Sequence, residues 1–337
     1  MSTRTAIAAS QAAVLEHVGA LVGFHNAVDA VVAAVLLAAA ATPSVLLGPL
    51  QILVGGSGMG LRAVDGRLRQ PGRGIARPRG FIAGAAIPPA AYFAVPTLPA
   101  ALAATLALAS TASIAKVSAP AIELAKAIAP PRAALLQALS RSGASALASD
   151  RFAGELVQVG GRIAGGALTA EDIADVRPSV EECAVTSAET QIGEVRRIAS
   201  TPWRAWGQPG DDSVGSATEI VAAADNRGRV VIACYEAGGG GIEVPELALV
   251  APRSASPVMR GTTRVRPGEP CAAASPIALL EAAGVLEAAV GCSGQGMAAL
   301  EAVIAAFLRG MPAEAAPAKT GARAIGVVRT KSGARAF

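Results

Sequence analysis

Histidine is nearly missing. His17 and His25 are the only two in 337 residues, and both lie near the start of the chain. Serine–histidine or cysteine–histidine machinery would have to draw on one of them. A nucleophile that carries its own base needs neither. Aromatic residues are also scarce, at 3%, while hydrophobic residues reach 52%, many of them alanine. Such a core must close by packing small side chains tightly. The cysteines are Cys183, Cys234, Cys271 and Cys292, with no close pair. That excludes zinc-type spacing and suits reduced thiols in a cytoplasmic protein. The segment MSTRTAIAAS lacks the charged region and apolar core of a secretory signal.

Charge is thin as well, at 16% against a usual quarter. Residues 30–61 and 80–115 hold none, which raises the question of membrane insertion. A spanning helix needs about 20 apolar residues without breakers. Pro43 and Pro49 interrupt the first stretch, and Pro88, Pro89, Pro96 and Pro99 the second. No membrane span is therefore expected, and a membrane or anionic-surface binder is kept as an alternative class.

The charge that exists is concentrated. Arg62, Arg67, Arg69, Arg73, Arg77 and Arg79 face a single acid, Asp65. The cluster reads as a solvated turn-rich face or as an anion site, since guanidinium matches carboxylate in two-pronged geometry. Nucleic acid is not expected as a partner, because stacking aromatics are absent from the cluster. GGSGMG at 55–60 is not a dinucleotide fingerprint, because no helix and acidic partner follow it. No cofactor and no metal are expected.

Periodicity supplies a coarse map. Residues 6–22 read as a helix, and Asn26 caps a second that stops before Pro43. Alanine-rich helices follow in 95–129 and 135–159. Thr169 caps a short helix with Asp172 three residues on. Residues 182–206 read as strands, then a polar loop leads to Thr218. TEIVAAADNRGRVV (218–231) is a hairpin with an Asp/Asn/Gly turn. Two further strands flank a turn at 282–284, a helix covers 297–311, and a last strand covers 324–330.

Several segments, in order, resemble one family. HNAVDAVVAA (25–34), SIAKVSAPAIELAKA (113–127), GGALTAEDIADVRPSVEE (165–182), the hairpin at 218–231 and GEPCAAASPIALLEAAGVLEAAVGCSGQG (268–296) are similar to segments of gamma-glutamyltransferases, which are N-terminal-nucleophile hydrolases. The resemblance spans nearly the whole chain, which is shorter than the usual member. It implies an α+β fold, a four-layer αββα sandwich with Thr218 opening a central strand. Residues 1–217 would match the large subunit and 218–337 the small one, both forming one domain.

The resemblance also implies a site. Thr218 falls on the family's self-cleavage point and nucleophile, although Glu219 and Ile220 replace the Thr-His that follows it there. Gly294 and Gln295 fall where backbone amides form the oxyanion hole. Ala272 and Ala273 replace a substrate-binding serine pair. An Arg just beyond an early strand would hold a substrate carboxylate, with Arg77 the first choice and Arg73 or Arg79 in reserve. Cleavage before Thr218 would free its α-amino group, whose pKa near ~8 lets it take the hydroxyl proton. The expected activity is amide hydrolysis or acyl transfer on a small amide other than a gamma-glutamyl compound. The expected partners are that substrate, the two cleavage fragments with each other, and a second copy of the chain. The alternative is an unprocessed, inactive relative acting as a subunit.

Overall fold

A computed structural model describes residues 5–56, 58–75, 80–190, 193–203, 218–238, 240–294, 297–311, 324–330 and 333–337. Its strands are β1 (Ala6–Ala9), β2 (Leu50–Gly55), β3 (Arg62–Gly66), β4 (Ser179–Glu182), β5 (Ala184–Glu189), β6 (Val195–Ser200), β7 (Thr218–Ala224), β8 (Val230–Glu236), β9 (Ile242–Val244), β10 (Leu249–Ala251), β11 (Ile277–Ala282), β12 (Val285–Cys292), β13 (Ala324–Thr330) and β14 (Gly333–Ala336). The helices are α1 (Ala12–Leu15), α2 (Val18–Leu21), α3 (Ala27–Ala41), α4 (Leu98–Ala109), α5 (Ile114–Ile128), α6 (Pro130–Ser142), α7 (Asp150–Gly160), α8 (Ala170–Ala174) and α9 (Met297–Leu308).

Two six-stranded antiparallel sheets dominate, in the orders β1-β7-β8-β2-β3-β4 and β14-β13-β12-β11-β6-β5. Side-chain alternation along the strands builds the layers. In β7, Val221 and Ala223 join a core with α3, while Ile220, Ala222 and Ala224 join a second core with Ile277 and Leu279 of β11. In β11, Ala278 and Leu280 turn outward to pack on Leu300, Ile304 and Phe307 of α9. The sequence of layers is therefore helices, sheet, sheet, helix, which is the expected αββα sandwich. Strands from both sides of Thr218 share each sheet, so neither side completes a sheet alone.

Small residues make the stacking possible. A Cβ added to Gly291 of β12 would meet Ile220 at 2.9 Å and Ile277 at 3.0 Å, so the sheets meet closely there. Helix α3 is buried along nearly its whole length because β7 and β8 cover one side and α5 another. Asn26 caps it, accepting from the Val28 N–H at 2.8 Å. Thr169 and Asp172 form the capping box of α8.

One expected helix is not there. Residues 6–22 begin as β1, paired antiparallel with β7, and continue as the single turns α1 and α2. The edge of β7 offers a ladder of hydrogen bonds, and tertiary pairing overrides the weak helical preference of the alanines. Among the described residues no helix is long and apolar enough to cross a membrane.

Candidate functional site

Thr218 is the first residue of β7, which lies between the edge strand β1 and β8, and is 4% exposed. It shares a strand face with Ile220 and Ala222, so its side chain belongs to the cleft between the sheets. Its carbonyl accepts from the Gly294 N–H at 2.9 Å. Gly294 lies just past β12 with φ of 71°, a conformation glycine adopts without strain. The contact therefore fastens the start of β7 to the second sheet.

The same contact changes the reading of Gly294. Its N–H is spent on the Thr218 carbonyl, so in this arrangement it is an anchor and not an open oxyanion donor. Gln295 lies outside the described residues, as do Arg77, Arg79 and the segment 204–217.

The residue paired across from Thr218 is Glu236 of β8. Ile220 directs both its N–H and its C=O to Ser10 beyond β1, at 2.7 and 2.9 Å. Thr218 lies two residues before it and also sends its carbonyl away from β8. The Thr218–Glu236 pair is thus of the non-hydrogen-bonded kind, with Cα atoms about 4.5 Å apart and side chains close. Burial pushes the Glu236 carboxyl above the usual range. Glu219, by contrast, points to the other face and is held by the Ser10 hydroxyl.

Continuing along the sheet, Gln51 of β2 pairs with Cys234 and is 1% exposed. Its amide donates to the Ala274 carbonyl at 2.6 Å and accepts from the Trp203 indole at 2.6 Å. Asp65 of β3 accepts from Arg67 and Arg69, each at 2.9 Å. Burial pushes its carboxyl up, but the hydrogen bonds from Arg67 and the charges of Arg67 and Arg69 outweigh this and hold it below the usual range. The Arg67 guanidinium lies over Trp203, 4.7 Å from the ring centroid. Across three strand spacings, β7 and β3 stand roughly 14 Å apart.

The arginine cluster therefore divides. Arg67, immediately after β3, is the Arg just beyond the strand. Arg73 lies elsewhere: its guanidinium pairs with Asp175 and its N–H donates to Asp172 at 2.9 Å. Arg73 is a clasp on α8. Ala272 is exposed and Ala273 half-buried. They follow Cys271, whose N–H donates to the Leu68 carbonyl at 2.8 Å, so the alanine pair is brought to the Arg67 side of the cleft.

Reading the sequence alone missed Arg67, Gln51, Trp203 and Glu236. A signal for two of them existed. The Asp225–Gly228 turn fixes the register of the hairpin, and counting back from it pairs 218 with 236. The end of β3 at Gly66 selects Arg67. Cys234 also lies in this cleft, but burial pushes its thiol up to about 12, so it stays protonated near neutral pH.

No protein-family model matches this chain, and neither does any curated protein. Solved structures do match in fold. A cephalosporin acylase from Bacillus halodurans is 15% identical with a TM-score of 0.70, covering 98% of this chain and 93% of that one. A structure of LmbA2991HD is also 15% identical with a TM-score of 0.70, covering 99% and 96%. The fold is that of the N-terminal-nucleophile hydrolases.

Proposed function

We propose that this chain is a self-processing amidohydrolase in which Thr218 is the nucleophile. The observation that carries the reading is the position of Thr218. It opens a strand held between β1 and β8, faces the cleft, and is fastened to the second sheet through Gly294. The likeness in fold to a cephalosporin acylase supports amide-bond cleavage as the reaction class.

The reaction follows from the groups at hand. Cleavage of the bond before Thr218 frees an α-amine. That amine takes the hydroxyl proton, Oγ1 attacks the amide carbonyl carbon, and the amine of the substrate leaves with the proton. Water then releases the acid. The acyl group carries a carboxylate that meets the terminal nitrogen of Arg67 left over by Asp65, which takes the guanidinium's Nε and other terminal nitrogen and holds it over Trp203. Ala272 and Ala273 offer no hydroxyls, so the substrate is not a gamma-glutamyl compound. Fragments 1–217 and 218–337 stay together, because each sheet contains strands of both.

Intact-mass measurement tests this. Purified wild type should resolve into the two fragments, and Thr218→Ala should remain at 33.3 kDa and be inactive. A wild type that stays whole and transfers no acyl group supports the second reading, an unprocessed relative that acts as a subunit. The observation favouring that reading is the Gly294 N–H, already spent on the Thr218 carbonyl.

A further inference from the structure

Self-cleavage poses a problem that mature catalysis does not. Before the bond is cut, the Thr218 nitrogen is an amide and cannot serve as a base. The two histidines do not supply one. His17 bonds the Ala13 carbonyl at 2.9 Å within its own helical turn, and His25 lies before the start of α3. Cys234 lies in the cleft, but its thiol is held protonated by burial. Some other group must take the Thr218 hydroxyl proton.

We propose that Glu236 is the general base of self-cleavage, acting on Thr218 from the paired position on β8. The inference rests on the proposed function above and adds a residue to it. Three observations carry it. The register pairs Glu236 with Thr218 directly. The pair is non-hydrogen-bonded and on one face, so the Cβ atoms lie about 4.5–5.5 Å apart. The Glu236 carboxylate makes no side-chain hydrogen bond to another described residue, whereas Asp65, Asp172 and Asp225 are each bonded to two or more donors.

The step balances without an added reactant except water. Glu236 takes the Oγ1 proton as Oγ1 bonds to the carbonyl carbon of residue 217. The C–N bond breaks, and Glu236 returns the proton to the departing nitrogen, leaving an ester and a free α-amine. Water hydrolyses the ester and restores the Thr218 hydroxyl. The groups on the same sheet face as this carboxylate are Cys234 on its own strand, Gln51 on β2, and Asp65 on β3 with Arg67 bonded to it; Thr201 and Ser275, bonded to each other, lie just outside β6 and β11. Glu219 and Ser10 lie on the opposite face. A carboxyl in such surroundings, pushed up by burial, is a better proton acceptor than an ordinary one.

The test compares full-length wild type, Glu236→Gln, Glu236→Asp and Thr218→Ala by intact mass over time, at pH values from 4 to 9. Glu236→Gln should slow fragment formation by about 100-fold, the lower range of a general base. Glu236→Asp should retain part of the rate. The wild-type rate should rise through a carboxyl titration above the usual range, and the Gln variant should lack that rise. Circular dichroism and a thermal melt check that the variant is folded. If it is not, the wild-type pH profile decides, and a profile with no carboxyl step overturns the proposal. Cleavage of Glu236→Gln at the wild-type rate overturns it too, while leaving Thr218 as nucleophile. Cleavage of Thr218→Ala at the same bond, or a wild type that never cleaves, overturns both.

Discussion

The β7–β8 hairpin has two ends, and each buries polar groups. At the turn, Asp225 is 2% exposed and accepts from the N–H groups of Ala27, Arg227 and Arg229 at 3.2, 2.9 and 3.1 Å. One carboxylate thereby closes the turn and fastens it to the start of α3. At the open end, Thr218 and Glu236 sit side by side, and the Glu236 carboxylate is bonded to none of the described residues. The same hairpin thus spends its acid on backbone at one end and leaves it for chemistry at the other. Glu236 is half-buried and stands beside the buried Thr218, and that pairing marks the site.

Substitution should separate the two ends. Thr218→Ala is the largest expected effect on chemistry, with cleavage and acyl transfer both lost. Its effect on stability should stay within about 1 kcal/mol, because one hydroxyl and one methyl group at a strand start are all that is removed. Asp225→Ala should do the reverse. It leaves the N–H groups of buried Ala27, half-buried Arg229 and exposed Arg227 without their acceptor, which costs about 3 kcal/mol. Urea unfolding of the uncleaved chain measures this, with Asp225→Ala placed on the Thr218→Ala background. Equal stability losses at the two positions would erase the distinction.

Much of this contrast was legible in the sequence, and the part that was not has a physical cause. The Asp/Asn/Gly turn, the caps at Asn26 and Thr169 and the strand at Thr218 are local, and local chemistry dictates them. β1 was hidden because alanine favours helix and only the neighbouring β7 makes it a strand. Arg67 was hidden among six arginines because its distinction lies in Trp203, which is far away in sequence. Arg73 could not be told from it until Asp175 was seen beside it. Glu236 was countable from the turn, but its half-burial and its lack of a partner among the described residues are tertiary facts.

The arginines offer a second contrast of the same kind, with a smaller effect. Arg67→Ala should raise KM for a substrate with an acyl-side carboxylate by about tenfold or more, the scale of one lost charge-assisted bond. Arg73→Ala should leave KM unchanged, because Arg73 is tied to α8 and the residue after it through Asp172 and Asp175, not to the sheet face that carries Thr218. Steady-state kinetics on an anionic amide and its neutral analogue compares the two. A loss that is equal for both substrates would mean that Arg67 only holds Asp65 in place.

Asp65 gives the pH counterpart. Its folded pKa is depressed, so the stability it contributes is fully present above the unfolded value of ~3.9. That contribution is lost as pH falls through the lower, folded value. Asp65→Asn should therefore flatten the acid limb of stability below about pH 4 while changing the neutral-to-alkaline limb little. Melts from pH 2 to 8 show whether the difference between variant and wild type depends on pH in that direction.

The smallest effect is expected beside the turn, where the structural end of the hairpin meets α3. Asn26 makes two bonds there: its Oδ1 caps the helix through the Val28 N–H, and its Nδ2 donates to the Ala109 carbonyl at 2.6 Å. Asn26→Ala removes both, and loss of the cap alone costs about 1 kcal/mol. Asn26→Ser keeps an oxygen for the cap and gives up the bond to Ala109. If α3 is held by its cap, Ser should recover most of the loss. If the tie to Ala109 at the end of α4 matters more, Ser should melt with Ala. In either case Thr218 lies at the far end of the hairpin from Asp225, so the rate of self-cleavage should be unchanged. A slower rate in both variants would mean that the two ends of the hairpin are coupled and that the division between structure and chemistry does not hold.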